Sequence, residues 1–489
     1  MRILYLDIDT LRPDRLGCYG YHRNTSPNID RLAAEGVRFD NYYCSDAPCL
    51  PSRTAMMSGR FGIHNGVVNH GGLRADPRPE GTDRQFCCRY GKSTLPAVLF
   101  EKGLHTVYIG GFGMRHSAWH FYAGFQEVHD TGMEGMESAE HVSPTALDWI
   151  ERRGREDNWY LHINYWDPHH PFRAPPEFGN PFENDPLPQW CTPELIEAHR
   201  KIAGPKTIQD LEMYSNEADP NFPRQPGEVR NMDDMRQLID GYDCGIRYAD
   251  DHVGGILAAL EKQGVLEDTL VIVSSDHGEN YGELGIYEEH GTADYATCRI
   301  PMIIRWPGMQ AGTVDSGLHY NLDLLPTLAE MLDLNQADHW QGQSFASALT
   351  DGTNCGRDYL VLSQCAHVCQ RSVRWDEYIW IRTWHDGFHF FDEQMLFNLK
   401  TDPRETVNLA ANHPELCRAA QSKYDAWHRQ MMETMPNGWG DPLETVLEEG
   451  GPFHARGKIR ATGYDKRLVE TGRGDALPEL RRRHPAEFE

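Results

Sequence analysis

The stretch Cys49-Leu50-Pro51-Ser52-Arg53, continued by Thr54-Ala55-Met56-Met57-Ser58-Gly59-Arg60, sets a thiol two residues before a proline and four before an arginine. A cysteine can be a nucleophile. A helix starting within Thr54 to Ser58 would put Cys49 at its positive end, where an anion is favoured and acidic groups lose protons more easily. A free cysteine also packs as a small buried hydrophobe, so the thiol gains meaning only from its neighbours. Acids and imidazoles recur at the ends of strand-like runs: Asp7 and Asp9 close the run from Arg2, Asp167-Pro168-His169-His170 follows Trp159 to Tyr165, and Asp276-His277-Gly278-Glu279 follows Thr269 to Ser275. In open α/β sheets ligands gather at the carboxyl ends of strands. These groups could surround one nucleophile with acid–base and charge-stabilising chemistry.

The elements that must carry them alternate between strand and helix. Residues 2 to 9 read as a buried strand, Ser26-Pro27 opens a helix stopped by Gly36, and the chain is extended to Cys44. Ser93 to Gly103 reads as a helix, His105 to Gly110 as a strand, and a helix from Ser143-Pro144 leads to the strand Trp159 to Tyr165. Asp233 to Gln263, closed by Gly264, is the longest helical pattern, and Leu322 to Leu332 the last of the large unit. Short β-like runs follow at Tyr359 to Ser363, Arg371 to Trp375, Tyr378 to Trp384, Phe388 to Phe391 and Met395 to Leu399, then a helix from Pro414 to Met432. Two units are expected, residues 1–350 and 351–489. The tail from Gly451 lacks a core pattern and is expected to be disordered or to contact a neighbouring subunit in a homo-oligomer. Arg173 to Arg230, rich in Pro, Asn and charge, is expected to form a substrate-selecting wall.

At 489 residues the chain can bury a large core, and 73 acidic against 47 basic side chains give a formal charge of -26. That balance argues against a general nucleic-acid or membrane-surface partner. No run approaches the ~18 apolar residues of a membrane span. Met1-Arg2 leads directly into the first strand without signal-peptide architecture, so a cytoplasmic protein is expected. Twelve cysteines, with Cys87 and Cys88 adjacent and no regular spacing, do not look like a disulfide framework.

The Cys49 pentapeptide, with Ser58-Gly59-Arg60 at the expected distance, resembles the site at which type I sulfatases of the alkaline phosphatase superfamily have their nucleophile made. Asp9-Thr10-Leu11-Arg12-Pro13-Asp14 resembles the opening in which two successive acids ligate the metal, with Thr10 standing for the second acid. Asp276-His277-Gly278 resembles the second metal pair, and Arg299 to Gly308 fits the pattern that follows it. Pro168-His169-His170-Pro171 resembles a Pro-His-x-Pro motif that maps His169 onto an active-site histidine. Where many sulfatases carry Gly-Lys-Trp-His, only His116, with Arg115 beside it, carries over. His290 stands eleven residues before Pro301, at the position of a sulfate-binding lysine.

The resemblance implies an alkaline-phosphatase-like α/β sandwich, with a large central mixed sheet flanked by helices and a smaller C-terminal antiparallel sheet with a helix. It implies hydrolysis of a sulfate monoester by a formylglycine made from Cys49. A thiolate attacking sulfate would leave a stable ester on the enzyme, whereas a hydrated aldehyde offers one hydroxyl to attack and a second to expel the sulfate. A divalent cation would be held by Asp9, Thr10, Asp276 and His277, calcium by the family's habit, with manganese or zinc open because imidazole suits them. Asp276 would accept the attacking hydroxyl's proton, Arg53 would hold the diol, His169 or His290 would protonate the leaving alcohol, and His116 would take the proton of the second hydroxyl. Arg115 and His290 would bind the sulfate. The implied partners are a small anionic sulfate ester, a sulfated saccharide by family frequency, and a formylglycine-generating enzyme. Phosphonate monoester or phosphodiester hydrolysis on the same scaffold is one alternative. A noncatalytic carbohydrate-binding pseudo-sulfatase is another, with the intact nucleophile motif against it, and a metal phosphatase using unmodified Cys49 is a third, disfavoured because such enzymes use an oxygen nucleophile.

Overall fold

The computed structural model describes residues 1–80, 89–206, 208–211, 219–309 and 311–489. Cys87 and Cys88 lie outside these residues. Arg2–Ile8 (β1), Val37–Tyr43 (β2), His105–Ile109 (β3), Glu127–His129 (β4), Trp159–Tyr165 (β5), Thr269–Ser274 (β6), Arg299–Arg305 (β7) and Thr313–Tyr320 (β8) form one sheet in the order β8-β2-β7-β6-β1-β5-β3-β4. β1 runs parallel to both β5 and β6, while β7 is antiparallel to β6 and β2, so the sheet is mixed. The central strands are buried along their whole length, as in Thr269–Ser274, because both faces are covered. Alternation along β1 sends Leu4, Leu6 and Ile8 into one apolar layer and Ile3 and Tyr5 into the other, the layer that also holds Cys49.

Four helices matter for the site: Cys49–Ser58 (α1), Ala139–Arg153 (α2), Met232–Gln263 (α3) and Pro414–Glu433 (α4). Asn231 caps α3 by accepting from the backbone of Asp233 and Asp234, and Gly264 ends it with a φ of 73° that favours glycine. α2 starts at Ala139 rather than at Ser143-Pro144, because Ser138 and His141 form a reciprocal cap ahead of the proline. α1 starts at Cys49 itself, ahead of the Thr54 to Ser58 expected from composition.

Tyr359–Gln364 (β9), Cys369–Trp375 (β10), Tyr378–His385 (β11) and Gln394–Asn398 (β12) form a smaller antiparallel sheet, with α4 packed against it. Asp46–Ala47, just before α1, adds to this sheet as a parallel strand beside β9. The smaller sheet therefore anchors the approach to the nucleophile helix. Phe388 to Phe391 is not a strand: Phe388 and Phe390 have φ of 74° and 61°, which turns the chain out of extended geometry. The tail is also ordered on its own chain. Ala455 in a turn and Ile459, Tyr464, Leu468 and Leu480 on short helices bury together against Leu211 and Phe388. Each helix is too short to show periodicity, which is why no core pattern is visible in the sequence. Among the described residues no helix is long and apolar enough to cross a membrane.

Candidate active site

All ten residues of α1 are buried, so each polar side chain must find a partner inside the protein. Ser52 Oγ donates to the Asp276 carbonyl at 2.6 Å, and Asn321 Nδ2 donates back to Ser52 O and Oγ at 3.0 Å each. Arg53 faces three carboxylates: Nε donates to Asp276 Oδ2 at 3.1 Å, one terminal nitrogen to Asp9 Oδ2 at 2.8 Å, and the other to Asp7 Oδ2. His162 Nε2 also lies 3.1 Å from Asp7 Oδ2. These contacts fasten the first turn of α1 to the tips of β1 and β6. Asp7 pairs in register with Ser274 across those strands, so Asp9 and Asp276 emerge side by side.

Three acids against one guanidinium leave a surplus of buried negative charge, which is costly without a further cation. The donor set fits one. Asp9 Oδ1 and Thr10 Oγ1 are buried without a hydrogen-bond partner, and the ligand atoms of Asp9, Cys49, Asp276 and His277 lie within 4.8 Å of one another. Thr10 takes a φ of 57° and its backbone N–H donates to Asp276 Oδ1 at 3.3 Å, which draws the β1 tip onto the β6 tip. His277 Nδ1 donates to the Gly278 carbonyl at 2.8 Å, fixing the tautomer that presents Nε2, 3.0 Å from Cys49 Sγ. Burial and then the Asp276 charge push Asp9 well up. For Asp276 burial acts the same way, yet Arg53 and His277 outweigh it and hold the carboxyl low. Burial, then Asp9 and Asp276, push the Cys49 thiol well up.

Beyond Cys49 opens a cavity of about 410 Å³ lined by Arg115, His116, His169, His170, His290, His70, His367 and His454 among others. His116 Nε2 has no hydrogen-bond partner, and burial, reinforced by Arg115 and Arg53, pushes the ring down to about 3. His169 Nδ1 donates to the His170 carbonyl, and burial with neighbouring His170 and Arg173 holds the ring well below the usual range. His290 lies against His277 with centroids 4.3 Å apart, and its Nδ1 is 3.2 Å from Glu279 Oε1. Arg115 donates to the Glu134 carbonyl at 3.3 Å and lies over the Trp166 ring.

The structure thus brings together every candidate named from the sequence: Asp9, Thr10, Cys49, Arg53, Asp276 and His277 at the strand tips, and Arg115, His116, His169 and His290 around the mouth. Glu279, His70, His367 and His454 were not singled out. Glu279 stood in view beside His277, but the three histidines come from separate loops and the tail, and nothing in their spacing links them.

Fold and site define an α/β enzyme of the alkaline phosphatase-like superfamily. A family model described as sulfatase matches residues 2–334, and one described as N-sulphoglucosamine sulphohydrolase, C-terminal, matches residues 282–429. The chain is 23% identical over 522 residues to an N-acetylglucosamine-6-O-sulfatase of Bacteroides thetaiotaomicron, covering 92% of this chain and 89% of that protein. It is 28% identical over 361 residues to the iduronate 2-sulfatase of Mus musculus, covering 64% of this chain and 60% of that protein. A solved structure of a protein in complex with its substrate D-glucosamine-2-N,6-O-disulfate superposes with a TM-score of 0.70 at 20% identity, covering 91% of this chain and 99% of that one. The phosphonate monoester hydrolase of Agrobacterium radiobacter superposes with a TM-score of 0.68 at 19% identity, covering 88% and 95%. The chain belongs to the sulfatase family and is a sulfuric ester hydrolase.

Proposed function

We propose that the enzyme hydrolyses a sulfate monoester on a saccharide, using a formylglycine made from Cys49 and a divalent cation, calcium, held by Asp9, Thr10, Asp276 and His277. The observation that carries this reading is the position of Cys49 Sγ, at the head of α1 and 3.0 Å from His277 Nε2, inside the same cluster as the Asp9 and Asp276 carboxylates. The cation supplies Lewis-acid activation, and the formylglycine supplies a hydrated aldehyde with one hydroxyl to attack sulfur and a second to release the sulfate.

The chain's own groups do the rest. Arg53 holds Asp7, Asp9 and Asp276 in place and offsets their charge. The N-terminus of α1 directs its partial positive charge at the anion. Asp276 accepts the proton of the attacking hydroxyl, and His116 Nε2, a neutral nitrogen without a partner, takes that of the second. Glu279, 3.2 Å from His290 Nδ1, orients that ring; burial and the neighbouring His277 and His367 hold it well below its ordinary range, so it would protonate the leaving oxygen only with a proton taken up as substrate binds. His169, whose Nδ1 donates to a carbonyl, has only a lone pair at Nε2 while neutral and would serve the same oxygen only after taking up a proton in the same way. Arg115 and His290 orient the sulfate at the mouth.

A cavity of about 410 Å³ suits a sugar ring, and the amino-sugar names of two similar proteins point the same way. Likeness to the phosphonate monoester hydrolase supports a second reading, phosphonate ester cleavage. Parallel assays on aryl sulfate, aryl phosphonate and sulfated glucosamines decide between them. Turnover of sulfated glucosamine exceeding that of the phosphonate is expected, and a preference for the phosphonate would overturn the reading. We further propose residues 1–350 as the catalytic unit, residues 351–489 as a C-terminal subdomain, a formylglycine-generating enzyme as the maturation partner, and a cytoplasmic location, which cell fractionation checks.

A further inference from the structure

Three histidines from distant parts of the chain meet on one wall of the cavity. His70 follows the loop after α1, His367 sits in the turn between β9 and β10, and His454 lies in the tail. Each offers a ring nitrogen, and these nitrogens lie within 4.8 Å of one another; His70 Nδ1 and His454 Nε2 are 3.0 Å apart. The Nε2 atoms of His70 and His367 are buried without a hydrogen-bond partner. The 3.0 Å contact is a hydrogen bond in which one of the two rings donates its single N–H, a proton that a bound cation would displace.

A carboxylate stands behind one of them. Glu289 Oε1 lies 3.0 Å from His367 Nδ1, which fixes the tautomer that presents Nε2, the arrangement by which carboxylates orient metal-ligating histidines. The approach depends on a glycine, since a Cβ at Gly291 would stand 2.5 Å from Glu289 Oε1. The tail is equally well fastened. The His454 backbone donates to the Ala366 carbonyl at 2.9 Å, and a Cβ at Gly71 would meet the Phe453 ring at 2.7 Å. Among the described lining residues Arg115 is the one permanent cation, so the histidine wall offers an anionic ligand little fixed positive charge.

We propose that His70, His367 and His454, with Glu289 behind His367, form a second cation site for zinc or a similar borderline metal, with its remaining position facing the cavity that Cys49 also lines. Three imidazole nitrogens and an open fourth position suit tetrahedral zinc, whose ligand atoms stand about 3.3 Å apart at bond lengths of about 2.0 to 2.1 Å. To meet that spacing the 3.0 Å pair of His70 and His454 would open slightly while nitrogens standing farther apart would close. An all-imidazole donor set also differs from the mainly oxygen set of Asp9, Thr10, Asp276 and His277. The open position would take an anionic or hydroxyl oxygen of the bound substrate.

The test is titration of metal-free full-length protein with cobalt(II) alone, followed by visible absorption and equivalents bound. Wild type should take up two equivalents and show the intense visible bands of a tetrahedral site. His454→Ala, with its ligand on the tail, should lose one equivalent and those bands, as should His367→Ala. Asp276→Asn should keep the bands, so failure of the Cys49-centred cation reading is seen separately. Glu289→Gln should weaken cobalt at this site by about 10- to 100-fold. Circular dichroism confirms that each variant is folded, and His454→Ala carries the test if His367→Ala is not. Unchanged bands and stoichiometry in folded His454→Ala, or inorganic sulfate binding to the three histidines without any metal, would overturn the proposal.

Discussion

The two sides of the cavity are built on opposite principles. On the strand-tip side charge is dense and most side chains are held in ion pairs: Arg53 reaches Asp7, Asp9 and Asp276, and a second cluster joins Arg12 and Arg404 to Glu283. On the histidine side several ring nitrogens have no partner, and the residues come from loops and the tail. The contrast separates holding from acting. The first side fixes where the nucleophile stands, and the second keeps lone pairs available to move protons or bind a ligand.

Substitutions can break or sharpen that contrast. Cys49→Ala should lower turnover by roughly 100,000-fold or more while the circular dichroism spectrum stays unchanged. Arg53→Met should act on the fold as well as on rate. It strands three buried carboxylates, so urea unfolding should show a loss of about 3 to 5 kcal/mol. His116→Ala should lower turnover by about 100- to 10,000-fold with little change in the unfolding midpoint. If it cost as much stability as Arg53→Met, the division between the two sides would fail.

A smaller effect follows from pH. Burial alone would raise Glu283, but Arg12 and Arg404 outweigh it and hold the carboxyl at about 2, below its ordinary 4.5. A depressed carboxylate stabilises the fold fully above the unfolded value and loses that contribution as pH falls from 4.5 through 2. Stability measured across that window should therefore fall by about 3 kcal/mol more in the wild type than in Glu283→Gln. The smallest change is expected for Thr10→Ala, which removes one neutral oxygen and should weaken calcium by less than Asp9→Asn does in an equilibrium titration.

This division also explains what could be read from the sequence. Asp9, Asp276 and His277 sit at the ends of buried strands, and Cys49 precedes a proline and an arginine on one helix, so local pattern and short spacing expose them. The buried strands were legible for the same reason, through continuous apolar runs such as Thr269–Ser274, whereas the mixed sheet they build was implied only by the family resemblance. His70, His367 and His454 meet only because the smaller sheet and the tail fold back over the α1 loop. The ordered tail escaped notice because its buried residues are spread over helices as short as Lys458–Thr462. The start of α2 was set by Ser138 and His141, whose reciprocal cap outranks the proline signal at Pro144. Glu279 was visible, but its value depends on His290 arriving from the far side of a turn.

The central claim is that the buried Cys49 is a precursor, and the mass of the peptide containing residue 49 tests it most directly. After coexpression with a formylglycine-generating enzyme, that peptide should carry the mass of an aldehyde in place of the thiol, and the fraction converted should track sulfate ester turnover across preparations. Full turnover by protein in which residue 49 is entirely unmodified cysteine would contradict it.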